Sequence, residues 1–450
     1  MSDLLSIGAS GVRAYQTALD TVGENIANTG TAGYSRRVVG LHEISVGSGT
    51  SAGGYAAGLG VLASGVLRTS DTYAAAAMRS AGTDLSRTTS TAAWLDRVGK
   101  ALDGNDISGR ITDFFGASSA LAAEPASSAL RATFLAAAGN VANAVSATGI
   151  AFDQVDEDID AQATQTAATL TSLGASLVRI NDGLGRTTAN TAAAAQLLDQ
   201  RDAILDQMSA ISDLKTNFDQ YGRVTVALGA GNGAPFVEIA RSNVVSYLAD
   251  RSNGGTVSFR VSNKASWTTI DATGGALAGL VEGAQRSLIA RDGVESIAAD
   301  FTTKINAIHR GGEGLDGSSK LDLFTAGARA TNLSVNPLVT YAKVAAAGIG
   351  GGPRDASNLA GFAATRAASG FEANVTGLIT DNAAQLKQRN TIAEAQTAIR
   401  AGAQTALSTA TGVNLDSEAI DLMRFQQAYQ ASSRAIQVAR DTLQSILDIR

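Results

Sequence analysis

Two stripes of apolar residues, one at each end of the chain, constrain the fold more than any other feature. Over residues 412–450, Leu422, Phe425, Tyr429, Ser432, Ile436, Ala439, Leu443 and Ile446 recur at alternating spacings of three and four. That spacing lays them along one narrow helical stripe, the seam of a coiled coil. Their neighbours Arg424, Gln426, Arg434, Gln437, Asp441 and Asp448 are polar. Asn414 or Asp416 can cap the start of the helix, with Glu418 complementing its dipole in the first turn. At the other end Leu5, Val12, Tyr15, Leu19, Val22 and Ile26 repeat the pattern, and Gly8 completes it. Fixing the backbone costs about 1–2 kcal/mol per residue, so a helix with a single apolar stripe needs a partner. Each stripe offers one to the other. The ends are expected to pair and to carry the middle of the chain as a looped-out body.

A chain of 450 residues can build two or three domains with sizeable cores. Its net charge is −6, from 35 Lys+Arg against 41 Asp+Glu, with no long basic run, so a nucleic-acid surface is not expected. Cysteine is absent, which excludes disulfides, thiolate metal sites and cysteine nucleophiles. The opening MSDLLSIGAS lacks the basic and apolar regions of a secretory signal, and no run of 18 apolar residues occurs, so no membrane span is expected. With 48 Gly, only 4 Pro and much alanine, long helices of small side chains are the expected texture.

Along the chain, the first helix should stop near residues 25–28, ahead of Gly30 and Gly33. Tyr34, Val38 and Leu41 suggest extended structure, and the glycine- and serine-rich stretch 46–61 reads as a flexible arm hinging two bodies. Helices follow from Asp71, a candidate cap, to about Ile211. They include a periodic face of Trp94, Leu95, Val98 and Leu102, a long helix over 126–184, and one over 189–211 burying Leu197, Ile204, Leu205, Met208 and Ile211. Short β-branched runs between glycine and asparagine turns fill 222–272. Helix returns over 275–308, a glycine-rich region covers 326–355, and one last long helix is expected over 356–411. The expected fold class is mainly α with a small inserted β domain. Residues 1–70 plus 400–450 form a terminal coiled-coil domain with an extended arm, and 71–221 plus 273–399 a long-helix bundle. The β domain, 222–272, is expected as a β-rich outer tip.

No constellation for chemistry emerges. His42 and His309 are the only histidines and lie far apart in sequence, and His309 is expected to satisfy a helix end near Gly311. The acidic run 153–160 alternates like a calcium loop, but Ala161 and Ala167 occupy the glycine and glutamate positions, leaving a solvated helix face. GIGGGP at 348–353 lacks the GK[ST] of a phosphate cradle, and neither G-x-S-x-G nor H-E-x-x-H occurs. Neither metal nor cofactor is expected.

Residues 25–37, NIANTGTAGYSRR, resemble the N-terminal signature of flagellar rod, hook and hook-associated proteins, ANxxTPGYxR in form. Asn25, Asn28, Thr31, Gly33 and Tyr34 carry the match. Ala32 stands where that family usually has proline, so the turn lacks a fixed φ. GVNLDSEAIDLMRFQQAYQASSRAI, 412–436, resembles the paired C-terminal signature. LLDQRDAILDQMS at 197–209, and GGALAGLVEG with INAIHRGGEGLDGSSKLDLF within 274–324, are similar to segments of the hook-associated protein 1 family. Rod proteins are shorter and lack LLDQRD; the flagellin-like junction protein lacks the GYSRR arm.

The resemblance implies a structural, non-enzymatic subunit at the hook–filament junction of the bacterial flagellum. It implies copies of the chain in a helical layer, contact with the hook protein and a second hook-associated junction protein, and a cytoplasmic export chaperone on the C-terminal stripe. Secretion through the flagellar export apparatus follows, with no cofactor, nucleic acid or membrane insertion. Two other readings remain open at this point: a surface adhesin or ligand-binding protein using the β tip, and a wall hydrolase. No carboxylate pair is marked for the latter.

Overall fold

The computed structural model describes residues 2–44, 60–250, 256–263 and 266–448. Most of the expected flexible arm falls on 45–59, outside the described residues. Helix α1 (Ser2–Ala27) leads into a hairpin in which β1 (Arg37–Glu43) pairs antiparallel with β2 (Val61–Arg68), Arg37 opposite Arg68. Four helices follow: α2 (Thr72–Asp103), α3 (Ile107–Ala123), α4 (Ser128–Arg186) and α5 (Ala192–Ile211). Asp71 caps α2 as expected, its carboxylate accepting the N–H groups of Tyr73 and Ala74 at 2.9 Å each. The 59-residue α4 is about 90 Å long at ~1.5 Å per residue. Its buried residues Ala163, Leu170, Leu177 and Leu184 sit seven apart, so one face stays inward along its C-terminal half. Length and apolarity would let α4 cross a membrane, but half of its most apolar stretch is buried inside the body.

Two antiparallel three-stranded sheets come next. One is β3 (Leu214–Phe218), β4 (Val224–Leu228) and β5 (Ala234–Val237); the other is β6 (Val244–Asp250), β7 (Thr256–Asn263) and β8 (Ser266–Thr269). Strand structure thus begins at Leu214, ahead of the expected 222. The KTNF of β3 is exposed and has no apolar alternation of its own; pairing with β4 makes it a strand. Both sheets lie against the C-terminal half of α4. Asn181 exchanges two hydrogen bonds with the Val224 backbone (2.8 and 2.9 Å), Thr171 Oγ1 accepts from Val245 N–H (3.1 Å), and Phe236 sits on Gly174, where a Cβ would lie 2.6 Å from its ring. Apolar strand faces find cover along the flank of the long helix.

The chain closes with α6 (Gly275–Arg310), the short strands β9 (Gly312–Glu313), β10 (Phe324–Ala326), β11 (Leu333–Val335) and β12 (Ala347–Gly348), then α7 (Leu359–Ser369), α8 (Phe371–Thr411) and α9 (Leu415–Asp448). The single helix expected over 356–411 is two. Gly370, left-handed at φ +56°, ends α7 and turns the chain so that Phe371 is buried. Phe371 joins an aromatic core centred on Phe114, whose ring lies 5.0–6.2 Å from those of Phe115, Phe134, Phe301, Phe324 and Phe362. One continuous hydrophobic core runs through the helices and both sheets; none of its fully buried members precedes Trp94 or follows Val375.

The acidic run on α4 is an ionic strip rather than a solvated face. Asp153 pairs with Arg329 and Arg291, Asp156 with Arg291, Asp158 with Arg97, and Asp160 accepts from the Tyr247 hydroxyl. His309 also departs from its expected role at its own helix end. It is 1% exposed and clamps two passing segments: Nδ1 meets Leu321 O at 2.6 Å, and Nε2 accepts Ala345 N–H at 3.2 Å. Only a neutral imidazole can do both. Burial lowers its pKa, with Leu321 O and Asp322 opposing that less strongly. The folded pKa lies below the unfolded value of about 6.5, so this contribution is whole above that pH and is lost as pH falls below it. The body's melting temperature should drop between pH 7 and 5, and His309→Gln should flatten that slope. Equal slopes in the two proteins would remove His309 as the cause.

Candidate functional site

The paired ends and three of the motifs that carry the resemblance meet at one place. Helices α1 and α9 pack antiparallel: Gly8 faces Ile436, Gly11 faces Ser432, and the rings of Tyr15 and Phe425 are 6.4 Å apart. A Cβ on Gly8 would lie 2.7 Å from Ile436 Cγ1, so this residue must be glycine for the helices to come this close. On α9, Ala439 is buried and Leu422, Phe425, Tyr429 and Ile436 are half-buried toward α1, while Leu443 and Ile446 are exposed. On α1 the expected stripe is rotated. Val22 is buried and Val12, Tyr15 and Leu19 half-buried, but Leu5 and Ile26 are exposed; the buried line is Gly8, Gly11, Ala14, Ala18, Val22 and Asn25. Small residues let the helix backbones approach, and the larger side chains flank that contact.

Asn414 caps α9 by accepting the N–H groups of Asp416 and Ser417 (3.0 and 3.1 Å). One turn on, Glu418 is 0% exposed and belongs to a different structure from the dipole complement expected of it. Its Oε1 receives Arg36 Nε at 2.6 Å, and its Oε2 receives Asn25 Nδ2 at 2.9 Å. Asn25 is fully used: Nδ2 also donates to Arg37 O (2.8 Å), and Oδ1 accepts from Arg37 N–H (3.0 Å) and the Tyr34 hydroxyl (2.9 Å). Thus the first and last residues of the Asn25–Tyr34 signature bind each other and the C-terminal signature together. Between them Asn28 closes the end of α1, its Nδ2 on Glu24 O (2.9 Å) and its backbone O accepting Thr31 N–H (2.9 Å); Gly33 takes φ +80°, which turns the arm back. Burial raises the Tyr34 pKa.

The body supplies the other half. Along α5, Asp199, Asp202 and Asp206 lie three and four residues apart on one face, opposite a row of arginines. Arg37 approaches Asp199 (3.6 Å), Arg68 holds Asp199 (2.6 Å) and Asp202 (2.8 Å), and Arg79 holds Asp202 (3.5 Å) and Asp206 (2.7 Å). Arg201 binds Asp202 (2.8 Å) and Gly222 O (2.6 Å). Burial raises the carboxyl pKa of Asp199 and of Asp206 despite Arg68 and Arg79; at Asp202 burial opposes ionisation, but Arg201, Arg68 and Arg79 outweigh it and hold the group low. The resembling segments thus supply both sides of the joint, GYSRR the Arg36 and Arg37 guanidiniums and LLDQRD the Asp199 and Asp202 carboxylates. Sequence reasoning singled out those segments but not these charged pairs or Arg68, and it gave Glu418 a role at its own helix end only. Among the described residues no group of His, Asp and Glu could hold a metal ion. The joint binds chain to chain.

The signature described as the flagellar hook-associated protein FlgK helical domain matches residues 94–324. The chain belongs to the flagellar hook-associated FlgK family. A second signature, the C-terminal region of the flagellar basal body rod FlgEFG proteins, matches residues 403–449, which take in the end of α8 and all of α9. The chain is 26% identical over 344 residues to flagellar hook-associated protein 1 of Salmonella typhimurium, covering 73% of this chain and 60% of that protein. It is 25% identical to the protein of the same name from Bacillus subtilis over 97% of this chain and 96% of that one. The flagellar hook junction protein FlgK of Burkholderia pseudomallei shares its fold, with a TM-score of 0.50 and 21% identity over 56% of this chain and 46% of that one. The FlgK helical domain thus takes in the end of α2, α3 to α6 and both sheets, and of the joint's charged residues it includes only those on α5.

Proposed function

We propose that the chain is a structural subunit at the hook–filament junction of the bacterial flagellum, with α1 and α9 as its assembly element. The observation that carries this is the outer face of α9. Ile420 and Val438 are each 62% exposed, and they lie eighteen residues, or five turns, apart on the side opposite Leu422 and Tyr429. Met423 (56% exposed) lies between them in sequence, so exposed apolar side chains stand among Arg424, Gln427 and Arg434 on the side of α9 turned away from α1. A helix pair of this kind meets further helices, and copies of the chain in a helical layer supply them through contacts that do not close on themselves. In this reading the terminal helices, with the β1–β2 hairpin, form one domain, and the body with its flanking sheets projects from it. The hook protein and a second hook-associated protein lie on either side of the layer. An export chaperone covers the C-terminal stripe beforehand, and the flagellar export apparatus delivers the chain outside the cell.

Replacing Ile420 and Val438 together by Asp puts two charges on that outer face and none against α1. The monomer should melt within about 0.5 kcal/mol of the parent, as exposed substitutions do. Cells carrying the double variant should lose motility, with filament subunits released into the medium. Normal motility would overturn the assembly role of this face.

A further inference from the structure

One face of the β6–β7–β8 sheet belongs to the body: Val245, Val257, Phe259 and Val261 are buried there against α4 and α6. Alternation turns the residues between them to the opposite face. At the centre of that face is Arg260 of β7, opposite Ser246 on β6 and Thr269 on β8. Ser258 and Ser262 flank it along β7, and Ser262 is opposite Trp267. Arg260 is half-buried, with its guanidinium carbon 4.2 Å from the centre of the Trp267 ring, whereas Trp267 is 49% exposed. The indole is therefore the outer member of the pair, and one of its ring faces is open to solvent. Seven arginines stack on aromatic rings among the described residues. Six of them also hold a carboxylate, as Arg201 holds Asp202 and Arg424 holds Asp421. Arg260 is the seventh: among the described residues it holds none, and its Nε is buried without an acceptor. The four hydroxyls around it make no hydrogen bond among the described residues either.

We propose that this face binds an anionic sugar, a pyranose ring that carries a carboxylate. The open indole face takes the apolar C–H side of the ring, the unused N–H groups of Arg260 take the carboxylate, and the surrounding hydroxyls exchange hydrogen bonds with those of the sugar. Every kind of group on the face then has a partner. An apolar helix laid here would leave Arg260 without an anion, and a small inorganic anion would leave the indole uncovered. None of the residues around Arg260 on this face is acidic, so nothing among them repels the carboxylate. The site is a sheet face rather than a cleft, so a single ring binds weakly, and a polymer of such rings meeting several copies of the chain binds more firmly. The binding itself does not rest on the junction reading and is measurable on the free chain.

The chain has 2 tryptophans and Trp94 is buried, so a sugar-dependent change in indole emission reports on Trp267. Titrating the full chain with glucuronate should give a saturable change, with a Kd in the millimolar range that one ring on a shallow face allows. Glucose and the methyl ester of glucuronic acid offer Arg260 no charge and should bind about tenfold more weakly. Acetate, which has no ring, should leave the emission unchanged. Arg260→Gln should bring glucuronate down to the level of glucose. Trp267→Ala, followed by calorimetric titration in place of emission, should lose all the sugars. Both side chains lie on an outer face, so both variants should melt as the parent does, and the ligand series on the parent decides if either folds poorly. No saturable response to glucuronate, or equal binding of glucuronate and glucose, would overturn the site. Unaltered binding in Arg260→Gln would do so as well. Acetate displacing glucuronate at equal concentration would also do so, leaving a simple anion contact and a cross-strand Arg–Trp pair. Motility enters none of these outcomes, so failure of the junction reading and failure of the sugar site are told apart.

Discussion

Glu418→Ala should open the terminal helix pair and leave the body folded. The carboxylate is 0% exposed, and it joins Asn25 of α1 to Arg36 of the arm at 2.9 and 2.6 Å. Removing one partner of a buried ion pair costs about 3–5 kcal/mol, mostly because the other charge stays unpaired. Arg36 keeps Asp421 and is itself 29% exposed, which argues for the low end, about 3 kcal/mol. Asn25 loses one of its bonds as well. Since the rest of the α1–α9 contact is half-buried and anchored by small residues, it has little else to resist opening. Hydrogen exchange of the α1 and α9 amides should accelerate by about a hundredfold, each 1.4 kcal/mol being a factor of ten. Exchange from the body helices should hold. Glu418→Gln keeps an acceptor oxygen for one of the two donors and turns its NH2 toward the other, so it should recover only part of the loss, leaving about 2 kcal/mol. Unchanged exchange in the alanine variant would mean that the pair is held elsewhere along its length.

How legible this was in the sequence differs from one feature to the next. The long helices are legible in spacing, as in Trp94, Leu95, Val98 and Leu102 on α2, and their starts in Asp71 and Asn414. On α9 the spacing points to the side that meets α1 as far as Ala439, whereas Leu443 and Ile446 are exposed. On α1 the large residues mark one line and Gly8, Gly11, Ala14 and Ala18 mark another, both at spacings of three and four, and it is the second that is buried. Close helix contacts select for small residues, so the less hydrophobic line was the buried one. β3 was hidden because its polar residues are strand only by pairing with β4, and Gly370 because a glycine inside a helical pattern is as often tolerated as not. The joint was half visible. Its motifs stood out, but nothing in either segment says that Arg37 and Asp199, 162 positions apart, will face one another. The same limit hid the arginine partners of the acidic run on α4 and the two segments that His309 clamps. Local sequence gives the donor, and only the fold gives the acceptor.

Phe114→Ala should do the reverse of Glu418→Ala. Phe114 is wholly buried, and its ring is the hub of five others contributed by α3, α4, α6, α7 and β10. Deleting it removes the transfer energy of a large side chain and leaves a cavity between rings that touch one another and cannot all collapse inward. Such changes cost about 3–5 kcal/mol, and the rigid surroundings argue for the upper half of that range. The body's unfolding transition should fall by several degrees, with loss of protection spreading through α3, α4 and α6. Exchange from α1 and α9 should be unmoved at temperatures where the body stays folded, because no apolar contact leads from Phe114 to them. With both substitutions in one chain the two losses should add within about 0.5 kcal/mol, as independent sites do. A larger coupling, of either sign, would show that the terminal pair and the body share stability through the Arg36 joint, and the joint would then be a rigid strut.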